Sequence, residues 1–197
     1  MRVQKIGIEQ IAFEGLPGSG KTCLSKKVSK SLGICRVGEI LDPQENEILP
    51  ADVPNPSLEY FIDSDERKYL LSERLLAKTS VLMDRSYLST IAYSLCEEDT
   101  GIASRALKWK IKFEQNFRQA DLYIFLSLPA EKSLARKNKK KNNPHDLWSW
   151  IGNLEKTSAF YKRHLQDDPR INCYVIDASR PYLDVLATTE RLVKYFL

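Results

Sequence analysis

Residues 6–22 read Ile6-Gly7-Ile8-Glu9-Gln10-Ile11-Ala12-Phe13-Glu14-Gly15-Leu16-Pro17-Gly18-Ser19-Gly20-Lys21-Thr22. The run 6–13 is apolar enough for a strand with a ragged start. From Gly15 onward the chain satisfies G-x-x-x-x-G-K-[ST] at every fixed position. A helical pattern follows over 21–32, with Leu24, Val28 and Leu32 on one face and Gly33 ending it. Strand, glycine-rich turn and helix, in that order, are the context this motif requires. The glycines let consecutive backbone N–H groups turn inward toward phosphate oxygens. The helix behind them adds its positive end. Gly15, Leu16, Pro17, Gly18, Ser19 and Gly20 therefore form a phosphate cradle. Lys21 reaches the β- and γ-phosphates, and the Thr22 hydroxyl is the candidate ligand for Mg²⁺. The expectation is a site for a nucleoside triphosphate with Mg²⁺.

Outward from this stretch the composition excludes much else. The chain has 197 residues, 43% hydrophobic and 28% charged, which suits one compact domain and excludes a disordered chain or a disulfide-stapled miniprotein. No apolar run approaches the roughly 20 residues of a membrane span. Residues 1–15 lack the order of a secretory signal. Cys23, Cys35, Cys96 and Cys173 stand apart with no C-x-x-C pair. They read as isolated, buried thiols of a reducing cytoplasm. The net charge is +4, but residues 132–141 hold six basic residues and no acid, and the rest of the chain is slightly acidic. A nucleic-acid binder spreads positive charge over a face. One cluster without interleaved aromatics suits a small polyanion better.

Strand and helix alternate along the chain. Residues 34–38 form a short strand, and 42–56 with four prolines form a loop. Ser57 caps a helix to about Lys78, residues 80–83 are a buried strand, and 88–97 and 103–118 are helices. Residues 121–128 are the clearest strand, and 130–140 a basic helix. Asn143-Pro144 restarts a helix carrying Trp148, Ile151, Leu154 and Tyr161. Residues 173–177 are a last strand, and Ser179 caps a closing helix ending near Phe196. The fold class is α/β: a three-layer P-loop NTPase, with a five-stranded parallel sheet between helices and ligands beyond the carboxyl ends of the strands. The whole of 1–197 reads as one domain, with a helical acceptor-binding region at about 42–78 and a lid at about 130–145.

The strand 80–83 ends in Asp84-Arg85-Ser86, followed by Tyr87-Leu88-Ser89-Thr90-Ile91-Ala92-Tyr93. A carboxylate at that place can hold the water shell of Mg²⁺, so Thr22 and Asp84 are the candidate metal ligands. The planar fork of Arg85 suits an acceptor phosphate.

Phe13-Glu14-Gly15-Leu16-Pro17-Gly18-Ser19-Gly20-Lys21-Thr22, followed about sixty residues later by Asp84-Arg85-Ser86-Tyr87-Leu88-Ser89-Thr90-Ile91-Ala92-Tyr93, resembles the thymidylate kinase-like nucleoside and nucleotide kinases. The resemblance continues through Ala120–Lys137, which looks like the fourth strand running into a lid. It reaches Ile176-Asp177-Ala178-Ser179-Arg180-Pro181, where Ser179, Arg180 and Pro181 match the family's adenine-contacting loop. It implies strand order 2-3-1-4-5 and transfer of a phosphoryl group from ATP to a nucleotide or nucleoside. It also implies that homodimers are common. Two departures stand out. Thymidylate kinases usually carry an acid near the position of Pro17. The second strand here leads to Gly38-Glu39, which looks more like the deoxynucleoside kinases.

Glu39 would serve as a general base if the acceptor were an alcohol. On the helix 57–78, Phe61 is placed to stack a base and Arg67 to hold an acceptor phosphate. Asp65 shares a face with Leu58, Phe61 and Ile62, and needs a partner or a ligand there; a surface ion pair is the plainer reading. Tyr87 and Tyr93 complete the acceptor-binding candidates. In the basic cluster, Arg136 is the sole arginine and the candidate clamp on ATP and the transferring group.

The conclusion from sequence is an ATP- and Mg²⁺-dependent kinase of a nucleoside monophosphate. Lys21, Asp84, Arg85 and Arg136 carry the chemistry, with neither nucleic acid nor membrane as partner, a possible homodimer, and cytoplasmic residence. Beside it stand a deoxynucleoside or other alcohol kinase using Glu39 as base, and a nucleotide-binding regulatory module.

Overall fold

The computed structural model describes residues 7–39, 57–138 and 147–197. Five strands form one all-parallel sheet: β1 (Gln10–Gly15), β2 (Cys35–Val37), β3 (Val81–Asp84), β4 (Leu122–Ser127) and β5 (Cys173–Asp177). Their order is β2-β3-β1-β4-β5, as the resemblance implied. Seven α-helices are described: α1 (Lys21–Leu32), α2 (Leu58–Leu76), α3 (Tyr87–Ser94), α4 (Thr100–Asn116), α5 (Ala130–Asn138), α6 (Ile151–Tyr161) and α7 (Tyr182–Phe196). None is long and apolar enough to cross a membrane.

Side chains of a strand point alternately to its two faces, and here both faces are covered. Ile11, Phe13, Leu82, Leu122, Ile124 and Leu126 point to one side, where Leu24 and Val28 of α1 and Val185 and Val193 of α7 meet them. Ala12, Met83, Tyr123 and Phe125 point to the other, against Tyr69, Tyr87, Phe113 and Tyr161. Both sides of every central strand are therefore apolar, the signature of a parallel sheet.

The helix starts follow local chemistry. The Ser57 hydroxyl accepts from the Tyr60 N–H at 3.3 Å, and the Ser86 hydroxyl from the Leu88 N–H at 3.2 Å. Asp99 caps α4 by accepting from the Gly101 N–H at 2.7 Å, which starts that helix at Thr100, ahead of the expected 103. Gly20 supplies no capping side chain to α1, and its first turn holds no acid, so the positive helix end stays open to an anion.

Several expectations need correction. Ser179 does not cap α7: its N–H donates to Asp177 Oδ1 at 2.8 Å within the preceding turn, and Pro181 precedes the first helical residue. Trp148 lies in a short 3₁₀ turn, 147–149, ahead of α6, and Ile151 is exposed, so the buried stripe of α6 is Leu154, Thr157, Phe160 and Tyr161. The four cysteines are free thiols, but Cys96 alone is buried; Cys35 and Cys173 are half-buried and Cys23 is exposed. The predicted loop 42–56, Lys139, Lys140 and Lys141, and the Asn143-Pro144 restart lie outside the described residues.

Candidate active site

The turn from β1 to α1 holds the centre. Gly15 has φ 146, and a Cβ there would stand 2.6 Å from the Leu126 carbonyl oxygen, so the end of β1 passes β4 at a distance a side chain would block. Gly18 and Gly20, with φ 74 and 98, complete a left-handed path that glycine adopts without steric cost. The Lys21 ammonium folds back into this turn and donates to the carbonyls of Gly15 at 2.6 Å and Leu16 at 2.8 Å. Its burial, aided by the nearby Arg85 charge, lowers its pKa to about 7. Thr22 stands half-buried at the helix start.

On one side of the turn lies a cavity of about 800 Å³, walled by Gly18, Gly20, Lys27, Arg136, Arg180 and Tyr182 among others. Arg136 donates to the carbonyls of Gly18 at 3.2 Å and Ala178 at 3.0 Å, tying α5 to the turn and to the loop after β5. The Ser133 hydroxyl adds a bond to the Pro17 carbonyl at 2.6 Å. Arg136 thus walls the donor cavity and does not line the acceptor pocket. Arg180 lines the same cavity, while Ser179 and Pro181 shape the loop beside it.

On the other side lies a second pocket of about 300 Å³, lined by Pro17, Glu39, Phe61, Asp65, Lys68, Arg85, Tyr93 and Trp148 among others. Arg85 has φ 68, a left-handed backbone for a non-glycine residue, which costs about 1–2 kcal/mol. Its turn is pinned from below. The Arg85 N–H donates to the Phe13 carbonyl at 3.0 Å. Glu14, wholly buried, accepts from the Ser86 N–H and hydroxyl at 2.7 Å each and from the Ser89 hydroxyl at 2.8 Å. The strained turn aims the guanidinium into the pocket, where it donates to Glu39, to the Tyr93 hydroxyl and, at 3.3 Å, to Ser89. Burial disfavours its charge, but Glu39, Tyr93, Tyr161 and Glu14 together outweigh that and keep it a cation.

Asp84 is wholly buried at the end of β3. Its Oδ2 accepts from Arg36 at 2.6 Å and from the Ser25 hydroxyl at 3.3 Å. Burial would raise its pKa, but Arg36, Arg85 and Lys21 together outweigh this and lower it. Its Oδ1 is buried without a hydrogen-bond partner among the described residues. An ionised, orphaned carboxylate oxygen beside the phosphate turn fits the water shell of a divalent cation, with the Thr22 hydroxyl as the second ligand. Among the described residues no group of three or more His, Cys, Asp or Glu forms a metal cage.

The structure brings Lys21, Thr22, Glu39, Phe61, Asp84, Arg85 and Tyr93 together, and corrects two residues. Arg67 is exposed on α2 and is not among the residues that line the pocket. Lys68, one position on, is the buried cation, donating to the Asp84 and Arg85 carbonyls at 3.0 Å each. Tyr87 is buried against Tyr69 and Phe113, with its hydroxyl on Glu114 at 2.5 Å; helical rotation turns it away from the pocket that Ser86, Ser89 and Tyr93 share. Sequence reasoning also missed Glu14, Arg36, Lys68 and Trp148. Glu14 left a signal, an acid ending an otherwise buried strand. Trp148 left none, since its place against Tyr93, with ring centroids 4.1 Å apart, joins residues 55 positions apart.

A phosphate turn between a donor cavity and a smaller, cation-bearing pocket defines an ATP-dependent nucleotide kinase. The chain belongs to the thymidylate kinase family: that family's model matches residues 37–188. Among similar proteins, the probable thymidylate kinase of Sulfurisphaera tokodaii is 26% identical over 190 residues, covering 93% of this chain and 94% of that protein. The thymidylate kinase of Staphylococcus haemolyticus is 28% identical over 204 residues, covering 95% and 98%. Among solved structures, deoxyadenosine kinase from M. mycoides shares the fold with a TM-score of 0.66 at 18% identity, over 95% of this chain and 99% of that one.

Proposed function

We propose that the protein transfers the γ-phosphoryl group of ATP to a nucleoside monophosphate. The observation that carries this reading is the pair of buried cations, Arg85 and Lys68, set in the pocket across the phosphate turn from the donor cavity. Two cations in a small pocket suit an acceptor that arrives with a phosphate. That acceptor is already ionised at neutral pH and needs no base to become nucleophilic.

The division of work follows from the geometry. The backbone N–H groups of Gly18, Ser19 and Gly20 and the open end of α1 hold the donor phosphates, Pro17 having no N–H to offer. Lys21, poised near its titration point, becomes fully charged when a polyanion replaces the loop carbonyls as its neighbour. Thr22 and Asp84 would hold Mg²⁺, which would supply positive charge near the transferring group. Arg85, aimed by its strained turn and steadied by Glu39, orients the acceptor phosphate for in-line attack. Phe61, Tyr93 and Trp148 offer apolar faces to the rest of the acceptor. Catalysis is then positioning and charge stabilisation. Cytoplasmic residence and a homodimer, common in the family, go with this reading.

The test is ADP release in the presence of ATP and Mg²⁺, screened against nucleoside monophosphates and the matching nucleosides. Monophosphates should accelerate it well above background hydrolysis. Acceleration by nucleosides alone would point to an alcohol acceptor, and none at all to a regulatory module.

A further inference from the structure

One group in the acceptor pocket is left without a role by phosphate transfer. Asp65 is 1% exposed, on the second turn of α2, and lines the pocket. It lies one helical turn before Lys68, and its Oδ2 accepts from the Thr90 hydroxyl at 2.6 Å. Among the described residues Thr90 is its one hydrogen-bond partner, and Oδ1 has none. Lys68 and Arg85 mark the phosphate end of the pocket. On α2, Asp65 lies about one turn from Lys68 in the direction of Phe61, and Thr90 of α3 meets it there. A carboxylate is costly to bury and can only accept hydrogen bonds when ionised. Burial raises its pKa to about 6 against the pull of Lys68 and Thr90, so it is mostly ionised at pH 7.5.

We propose that Asp65 reads the base of the acceptor, taking a hydrogen bond from an exocyclic amino group, so that bases carrying such a group on their pairing edge are preferred to bases presenting a carbonyl there. The chemistry is that by which a carboxylate recognises the 4-amino group of cytosine. A carbonyl oxygen at that position would meet the carboxylate with like partial charge. The N–H of thymine or uracil is flanked by two such carbonyls. Thr90 fixes the orientation: its hydroxyl occupies Oδ2 and leaves Oδ1 for the ligand. The class of acceptor is thus a nucleoside monophosphate with an amino-bearing base, although the relatives above are named for thymidylate.

This inference rests on the monophosphate reading, and its test separates the two. dCMP and dUMP share sugar and phosphate and differ only on the pairing edge. In the wild-type enzyme at pH 7.5, kcat/KM should favour dCMP by at least about tenfold, the scale of one good base contact. Asp65→Asn, whose amide can donate as well as accept, should narrow that ratio to within about threefold. A wild-type measurement with the dCMP analogue lacking the 4-amino group needs no variant, and the analogue should bind no better than dUMP. Equal use of dCMP and dUMP, an analogue binding as tightly as dCMP, or an unchanged ratio in a folded Asp65→Asn would overturn the proposal. Calorimetric binding of dCMP against dUMP decides the matter without turnover. Selective binding with no ADP release would keep Asp65 in its role and remove the kinase reading, whereas no binding of either would remove both.

Discussion

Arg36 Nη2 lies 2.6 Å from Asp84 Oδ2, while Oδ1 of the same buried carboxylate has no hydrogen-bond partner among the described residues. One oxygen is neutralised by a neighbouring strand and the other is kept for a ligand. The pair explains how Asp84 stays ionised in the interior, where an isolated carboxylate would take up a proton.

Asp84→Asn should lower turnover with every acceptor and raise the Mg²⁺ concentration needed for half-maximal rate. Arg85→Ala should instead raise the acceptor KM and leave the Mg²⁺ requirement near wild type. Magnesium titrations of both variants check this, and identical Mg²⁺ dependence would refute the division. Asp84 also carries a stability term. Its pKa in the fold lies below the ordinary 3.8, so its contribution is present above pH 3.8 and is lost as pH falls through the lower folded value. Arg36→Ala, which breaks a buried ion pair, should cost about 3 kcal/mol in urea unfolding at pH 7.

Lys21→Met should cut turnover at least a hundredfold, by analogy with the loss of one preorganised donor to the transition state, worth roughly 3–4 kcal/mol. Stability should behave otherwise. The folded pKa, about 7, lies below the ordinary 10.5, so the buried ammonium costs stability, fully below pH 7 and progressively less as pH rises toward 10.5. The variant should therefore melt no lower than wild type at pH 6. A variant that keeps more than about a tenth of the wild-type turnover would remove Lys21 from the phosphate site.

Glu39→Gln separates phosphate from alcohol acceptors. With a monophosphate, Glu39 only steadies Arg85, and the variant should lose less than about tenfold in kcat while the acceptor KM rises. A base that takes a proton from a hydroxyl is worth 10²–10⁴-fold. A loss of a hundredfold or more at neutral pH, with circular dichroism unchanged, would move the assignment to an alcohol acceptor.

The buried carboxylate of Asp65 has the opposite stability sign from Asp84. Its folded pKa of about 6 lies above the ordinary 3.8, so ionisation costs stability fully above pH 6, and the cost is relieved as pH falls from 6 to 3.8. Asp65→Asn keeps an acceptor for Thr90 and removes the charge. It should be more stable than wild type at pH 7.5 by up to about 3 kcal/mol, and the gap should close near pH 4. Thermal melts of both proteins across that range measure it; a gap independent of pH would show that the carboxylate is not strained by burial.

Much of this protein was legible along the chain, because its strongest signals are local. The phosphate turn needs glycines, a lysine and a hydroxyl at fixed spacing, and the strands need apolar runs of about five residues. The cap at Ser57 acts within three residues, and the pairing of residues 15–22 with 84–93 places both strand ends at one site. What the sequence could not decide is which side of an element each polar residue takes once the layers close. Arg67 and Lys68 are adjacent cations on one helix, and a rotation of about 100° per residue sends one to solvent and the other under Arg85. Tyr87 and Tyr93 lie on one short helix, yet one fills the core and the other lines the pocket. Glu14 and Arg36 read as ordinary charges, and Asp65 as a carboxylate in want of a partner, until Ser86, Asp84 and Thr90 arrive from 72, 48 and 25 positions away. Spacing along a chain fixes chemistry only within a turn or two. A buried charge takes its meaning from partners that the tertiary packing alone delivers, since it is their approach that decides whether its desolvation is compensated.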